Sequence, residues 1–160
     1  LREWWKTAAE FRRGGFDRIL VPAPWSPTSD ELVAAGIRGN FYAHELVGVE
    51  PGGAEAFLEE VRERAVPIYD GLGLTLVGAF HTAMIDRSEC LLLWAIPDHA
   101  TWAAFEAAEY GETDLSSWRA DGRDRVRSWH RILLVEAPTS TLRLGRQPSE
   151  ADRRPLDEIP

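Results

Sequence analysis

The side chains able to do acid–base or ligand chemistry in this chain fall on segments that read as strands. His44 and Glu45 are neighbours in "FYAHELVGV", His81 follows Phe80 in "LTLVGAFHTAM", and His130 opens "HRILLVEA". Histidine changes charge near neutral pH, which suits proton transfer or contact with a polar ligand. His44 is therefore the candidate catalytic base, and Tyr42, His44, Phe80, His81 and Trp94 form the candidate ligand-binding set, with the aromatic rings as apolar walls. Each has a plainer reading. His44 can hydrogen-bond across a sheet contact, His81 can face solvent from an edge strand, His130 can sit at a strand end, and Trp94 can be core. His99 directly follows the helix cap Asp98 and reads as surface.

Neighbours on a strand face opposite ways, so His44 and Glu45 cannot share a side. Tyr42 and Leu46 go with His44, while Ala43, Val47 and Val49 go with Glu45. Helices demand the apolar set, which turns Tyr42 and His44 toward the open face. Glu45 is then awkward among apolar neighbours, and the reverse assignment stays open.

Other chemistries lack their signatures. There is no phosphate-binding loop, no nucleotide-binding glycine fingerprint after a strand, no nucleophile elbow and no paired-histidine zinc helix. The single Cys90 excludes an internal disulfide and a cysteine-based zinc site, predicts a reducing, cytoplasmic setting, and reads as an inert residue of a buried strand. No metal or cofactor is expected. Arg119, Arg123, Arg125 and Arg127 read as a solvated helix face, with anion binding as the sharper alternative. A net charge of −8 makes nucleic acid and anionic membranes poor partners. No apolar run approaches the ~20 residues a bilayer crossing needs.

Those residues must be positioned by short elements. Residues 1–13 read as a helix stopped by Gly14-Gly15, and "DRILV" as a short strand. Pro-rich and capped turns follow to about residue 40. From 41 the pattern is a strand to Val49, then a helix over about 54–72 with Phe57, Val61, Ala65, Ile68 and Leu72 on one stripe. Pro67 should kink that helix. A hairpin over 74–96 comes next, then a helix capped by Asp98. A further helical piece carries Leu115, Trp118, Gly122, Val126 and Trp129, and a last strand spans 130–137. The order β-α-β-β-α-β is ferredoxin-like: an α+β domain with a four-stranded antiparallel sheet in the order 4-1-3-2 and both helices on one face. The uncovered face predicts pairing with a second sheet, hence a homodimer.

The chain also matches itself. When Arg18 is laid on Arg131, Ile19 meets Ile132, Leu20 meets Leu133, Trp5 meets Trp118, and Phe16 meets Trp129. One inserted residue brings Ala23-Pro24 onto Ala137-Pro138. Residues 1–24 thus read as the last helix and strand of a preceding copy, 25–40 as a linker, 41–138 as the complete domain, and 139–160 as a tail. With Leu1 in place of an initiating Met, this predicts a piece of a longer tandem protein.

Pro51-Gly52 after the first strand, Pro67 before Gly71 and Gly73, Gly78-Ala79-Phe80, Leu93-Trp94-Ala95 and the endings "RILVPAP" and "RIL…AP" together resemble the NIPSNAP family. The resemblance spans about 41–138. It implies membership of the dimeric α/β-barrel superfamily, in which two sheets close on each other. That superfamily includes cofactor-free monooxygenases and isomerases of aromatic or polyketide-like compounds. The family's first strand usually carries Arg where this chain has Glu45, so a site relying on that cation has reversed charge here. The expectation is a small-molecule-binding barrel, with a cofactor-free enzyme acting on an apolar or aromatic compound as its catalytic form. The alternative is a non-catalytic interaction or scaffold module that uses the open sheet face to dimerise.

Overall fold

A computed structural model describes residues 2–11 and 17–152. The Gly14-Gly15 stop lies outside the described residues. Helix α1 (Arg2–Phe11) comes first, then strand β1 (Leu20–Pro22). Helix α2 (Ser29–Ala34) opens on a capping box, in which Thr28 accepts from the Glu31 amide and the Glu31 carboxylate accepts from the Thr28 amide. Strand β2 (Phe41–Val49) leads into helix α3 (Ala54–Glu60), which runs through a π turn (Val61–Ala65) into α4 (Val66–Gly71). Strands β3 (Thr75–Thr82) and β4 (Glu89–Ile96) form the hairpin. Helix α5 (His99–Tyr110) is capped by Asp98, α6 (Asp114–Asp121) by Thr113, and β5 (Val126–Leu134) follows. A short helix α7 (Thr141–Leu144) lies beyond it.

The sheet order is β1-β3-β4-β2-β5, all antiparallel. Without β1 this is the ferredoxin-like order. The expected four strands are five, because Leu20–Pro22 pairs with Phe80–Thr82 and extends the β3 edge. That pairing joins residues far apart in sequence, so no local pattern announces it.

The π turn is the structural answer to Pro67. Proline has no amide hydrogen and its ring crowds the preceding turn; one wide turn, with the Val66 amide donating to the Val61 carbonyl, carries the helix past it. The extra residue also rotates the buried stripe. Phe57, Val61 and Ala65 are buried as the periodicity predicts, but Tyr69 rather than Ile68 comes next. Strand β5 starts at Val126, not at residue 130. Gly122 ends α6 and the chain turns directly into the sheet, so Val126 and Trp129 are strand residues.

The core lies between the sheet and α3–α6. Ala43, Val47, Val49, Cys90, Leu92, Trp94 and Ile96 meet Phe57, Val61, Tyr69, Phe105, Leu115 and Trp118 there. Burying a side chain of this size stabilises by roughly 1.5–3 kcal/mol. On the opposite face, Tyr42, Val77 and Ala95 pack under Leu32, with Ile37, Leu93 and Leu142 around them. The segment expected as linker and the start of the expected tail therefore cover one end of that face.

Candidate functional site

The strand registers separate the five residues expected to share a pocket. His44 lies opposite Leu93 and Ile132, and Phe80 opposite Leu91; with Tyr42 they face away from the helices. His81, opposite Cys90, and Trp94, opposite Ala43, stand on the helix-facing register. Tyr42 is buried. Its hydroxyl donates to Glu136 and accepts from the Gly39 amide at 3.1 Å. Burial first, then the Glu136 hydrogen bond, pushes this phenol up to about 12, against the opposing pull of Gly39. His130, opposite Leu46, shares the face of His44, and the exposed His99 ring lies tilted against Phe41, 4.3 Å between ring centres. Cys90 is buried, and loss of hydration raises its thiol to about 12, so it stays protonated.

Glu45 organises the helix side. It is fully buried, in line with Ala43 and Val47. Its carboxylate accepts from Arg131 Nε at 2.7 Å, from Arg119 Nη2 at 3.3 Å, and from Trp94 Nε1 at 3.0 Å. Arg131 grips Glu109 with two bonds, 2.7 and 3.1 Å, and Arg119 Nη2 reaches Glu109 at 2.9 Å and the Tyr69 hydroxyl at 3.2 Å. Two carboxylates face two guanidinium groups, the neutral and hydrogen-bonded arrangement a buried charge requires. Burial alone would raise Glu109 and lower Arg131. The Arg131 hydrogen bond and the Arg119 and Arg131 charges overcome it for Glu109, which ends lowered. For Arg131 the Glu109 hydrogen bond and Glu45 charge overcome it, and its basicity is raised. Burial, then the Glu45 charge, raises the Tyr69 phenol, so it stays protonated.

Next to this cluster lies a cavity of about 390 Å³ between α3, α6 and the start of β5. Its apolar walls come from Val49, Ala56, Phe57, Trp118, Val126 and Trp129. Arg119 joins cavity and cluster: its Nη2 serves Glu45, Glu109 and Tyr69, while its guanidinium carbon lies 3.3 Å from the Trp129 ring centre. Three lining residues each carry a buried donor with no partner: Trp118 Nε1, Arg119 Nε and Trp129 Nε1. Buried N–H groups are almost always satisfied, and each orphan costs roughly 1–3 kcal/mol. The two indoles meet edge to face at 5.6 Å, and this packing shuts the three N–H groups off from the cavity beside them. A second cavity of about 530 Å³ on the other face, bounded by Pro22, Leu32, Phe80, Leu93 and Leu142, shows no such unmet group.

The first cavity has no His, Cys, Ser or Lys in its lining. Its carboxylates are engaged, Glu50 by Arg127 and Glu60 by Arg125 and Arg64. The sequence reading placed Trp118 and Trp129 in the core and the arginines on a solvated face. It thereby missed that one residue, Arg119, turns inward between the two indoles. Among the described residues, no cluster of three or more His, Cys, Asp or Glu could hold a metal ion, and no helix is long and apolar enough to cross a membrane.

An antiparallel sheet in this order with both helical arms on one face defines an α+β protein of ferredoxin-like build. The sequence matches no family model and no curated protein. Solved structures do match. A NIPSNAP family protein with unknown function from Agrobacterium tumefaciens is 23% identical, with 66% of this chain and 95% of that one aligned at a TM-score of 0.55. A NIPSNAP domain protein from Burkholderia xenovorans is 14% identical over 61% of this chain and 94% of that one, TM-score 0.52. A candidate monooxygenase from Fusobacterium nucleatum is 11% identical over 84% of this chain and 58% of that one, TM-score 0.50. The fold is that of the NIPSNAP family.

Proposed function

We propose that this protein binds a small, largely apolar molecule in the cavity between α3, α6 and β5. The observation carrying this reading is a cavity of about 390 Å³, ligand-sized, with apolar walls from Val49, Phe57, Trp118, Val126 and Trp129. Binding, rather than turnover, is what the lining supports, since it offers no free base or nucleophile. The test is a fragment screen of compact aromatic and alicyclic compounds by ligand-observed NMR, on the wild type and on Ala56→Trp. Ala56 lies exposed on the cavity wall, so a large ring there fills the space without disturbing the core. Fragments bind the wild type and lose binding in the variant. Absence of any hit, or hits indifferent to Ala56→Trp, overturns the reading.

A second reading, association of two copies through the sheet, draws on Ile132 and Leu134, which are exposed at 55% and 39% on the edge strand β5. Sedimentation at micromolar concentration checks it: a dimer that Ile132→Asp splits supports it, and a stable monomer overturns it.

A further inference from the structure

We infer that the molecule taken by this cavity is an uncharged hydrocarbon or hydrocarbon-like compound, and that Gly122 sets how large a ring is admitted. The inference rests on the small-molecule reading and narrows it.

The polar groups around the cavity are already engaged or out of reach. Glu50 accepts two hydrogen bonds from Arg127, and Glu60 is held by Arg125 at 2.8 Å and by Arg64 at 3.5 Å. Arg119 is engaged by Glu45, Glu109 and Tyr69. The N–H groups without partners on Trp118, Arg119 and Trp129 are sealed in the packing and offer nothing to a molecule beside them. Arg123 stands in water. Once Arg64, Arg127 and Arg131 are counted in with their carboxylates, guanidinium groups and carboxylates around the cavity match one for one. An ion entering here gives up its water and gains no counterion. An amide or hydroxyl gives up hydrogen bonds and regains none. A hydrocarbon loses nothing polar and leaves water for the walls of Val49, Phe57, Val126 and the two indoles.

Gly122 keeps space open on that wall. It ends α6 at φ −80° and ψ −8°, a conformation most residues adopt in type I turns, so the backbone does not demand glycine. A Cβ there would meet the Trp118 carbonyl at 3.6 Å, the Arg119 carbonyl at 3.8 Å and Val126 Cγ2 at 4.0 Å, all ordinary contacts. The position lines the cavity, so a longer side chain packed beside Val126 takes up ligand space.

Equilibrium dialysis of the full chain against indane, indane-2-carboxylate and indan-2-ylammonium, one ring system in three charge states, tests the class. Indane binds at least tenfold tighter than either ion. Gly122→Ala weakens indane a few-fold and Gly122→Leu at least tenfold. Both keep the melting temperature at or above that of the wild type, because each restricts the unfolded chain and removes no contact. If Gly122→Leu folds poorly, Gly122→Ala carries the comparison. An ion binding as tightly as indane overturns the uncharged assignment and leaves the cavity a binding site. Indane affinity unmoved by the Gly122 variants overturns the role of Gly122. Failure of all three probes overturns the cavity reading itself.

Discussion

The two faces of the sheet bury polar groups of different charge. Toward the helices, the fully buried Glu45 sits at the centre of three other charged side chains (Arg119, Arg131 and Glu109), the Trp94 indole and the Tyr69 phenol. Away from them, α2 and α7 lay an apolar cover over Tyr42, Val77 and Ala95, and the polar contacts are smaller: Tyr42 with Glu136, and Arg18 and Thr82 with Glu89. Enclosure raises the stakes of every charge, because no water replaces a lost partner. On the other face the buried Tyr42 hydroxyl is neutral, and without it Glu136 still has Arg38. The helix face therefore carries both the larger mutational penalties and the three donors that remain unmet.

The strongest way to break this contrast is to cut the helix-face cluster at its centre. Glu45→Leu strands Arg131 Nε and Trp94 Nε1 and removes one of two carboxylates facing two guanidinium groups. Removing one member of a buried pair costs about 3–5 kcal/mol. His44→Leu, one residue away on the half-buried opposite face, should stay within roughly ±0.5 kcal/mol. Urea unfolding of both variants decides it: similar midpoints would mean that the cluster is not enclosed as described.

A smaller effect comes from Trp94→Phe. The ring contact with Tyr69 at 4.2 Å is largely kept, but the N–H to Glu45 is lost. A loss of about 1–3 kcal/mol follows for an acceptor left short in a buried site. A change below a few tenths would place that indole hydrogen bond among the dispensable ones. Acid sharpens the same point. The Glu109 carboxyl lies below its ordinary value of 4.5. Its contribution to stability is thus fully present above that value and fades as pH falls through the folded-state value. Unfolding curves between neutral pH and pH 3 should show this acid limb flattened in Glu109→Gln.

The alternating strands, the turn glycines and Asp98 made the β-α-β-β-α-β order readable, and the helix-facing set Ala43, Val47 and Val49 with it. Three features were not readable because they depend on distance or on ambiguity of period. Strand β1 joins the sheet through partners some sixty residues away in sequence, Leu20 with Thr82 among them. Trp118, Gly122, Val126 and Trp129 satisfy helical spacing although the chain changes from helix to strand between them. The π turn shifts the buried stripe from Ile68 to Tyr69. For the site, the usable signal was the misfit of Glu45 on an apolar strand face: a carboxylate there demands cations, and two arginines answer it. That two indoles and Arg119 keep three N–H groups unpaired is a fact of packing, with no trace in residue order.

The other face supplies the gentlest test. Tyr42→Phe removes a hydroxyl that donates to Glu136 and accepts from Gly39 while leaving the ring under Leu32 and Ile37. Glu136 keeps Arg38 at 3.5 Å as a second partner, so the loss is about 1 kcal/mol at neutral pH. The Tyr42 phenol is raised from 10.0 to about 12, so its stabilising effect is complete below pH 10 and is lost as pH climbs through 12. Tyr42→Phe should therefore weaken the protein at pH 8 and narrow the gap to wild type above pH 11. A neutral-pH loss as large as that of Glu45→Leu would show that a neutral hydroxyl here matters as much as a buried charge there, and the contrast between the faces would fall.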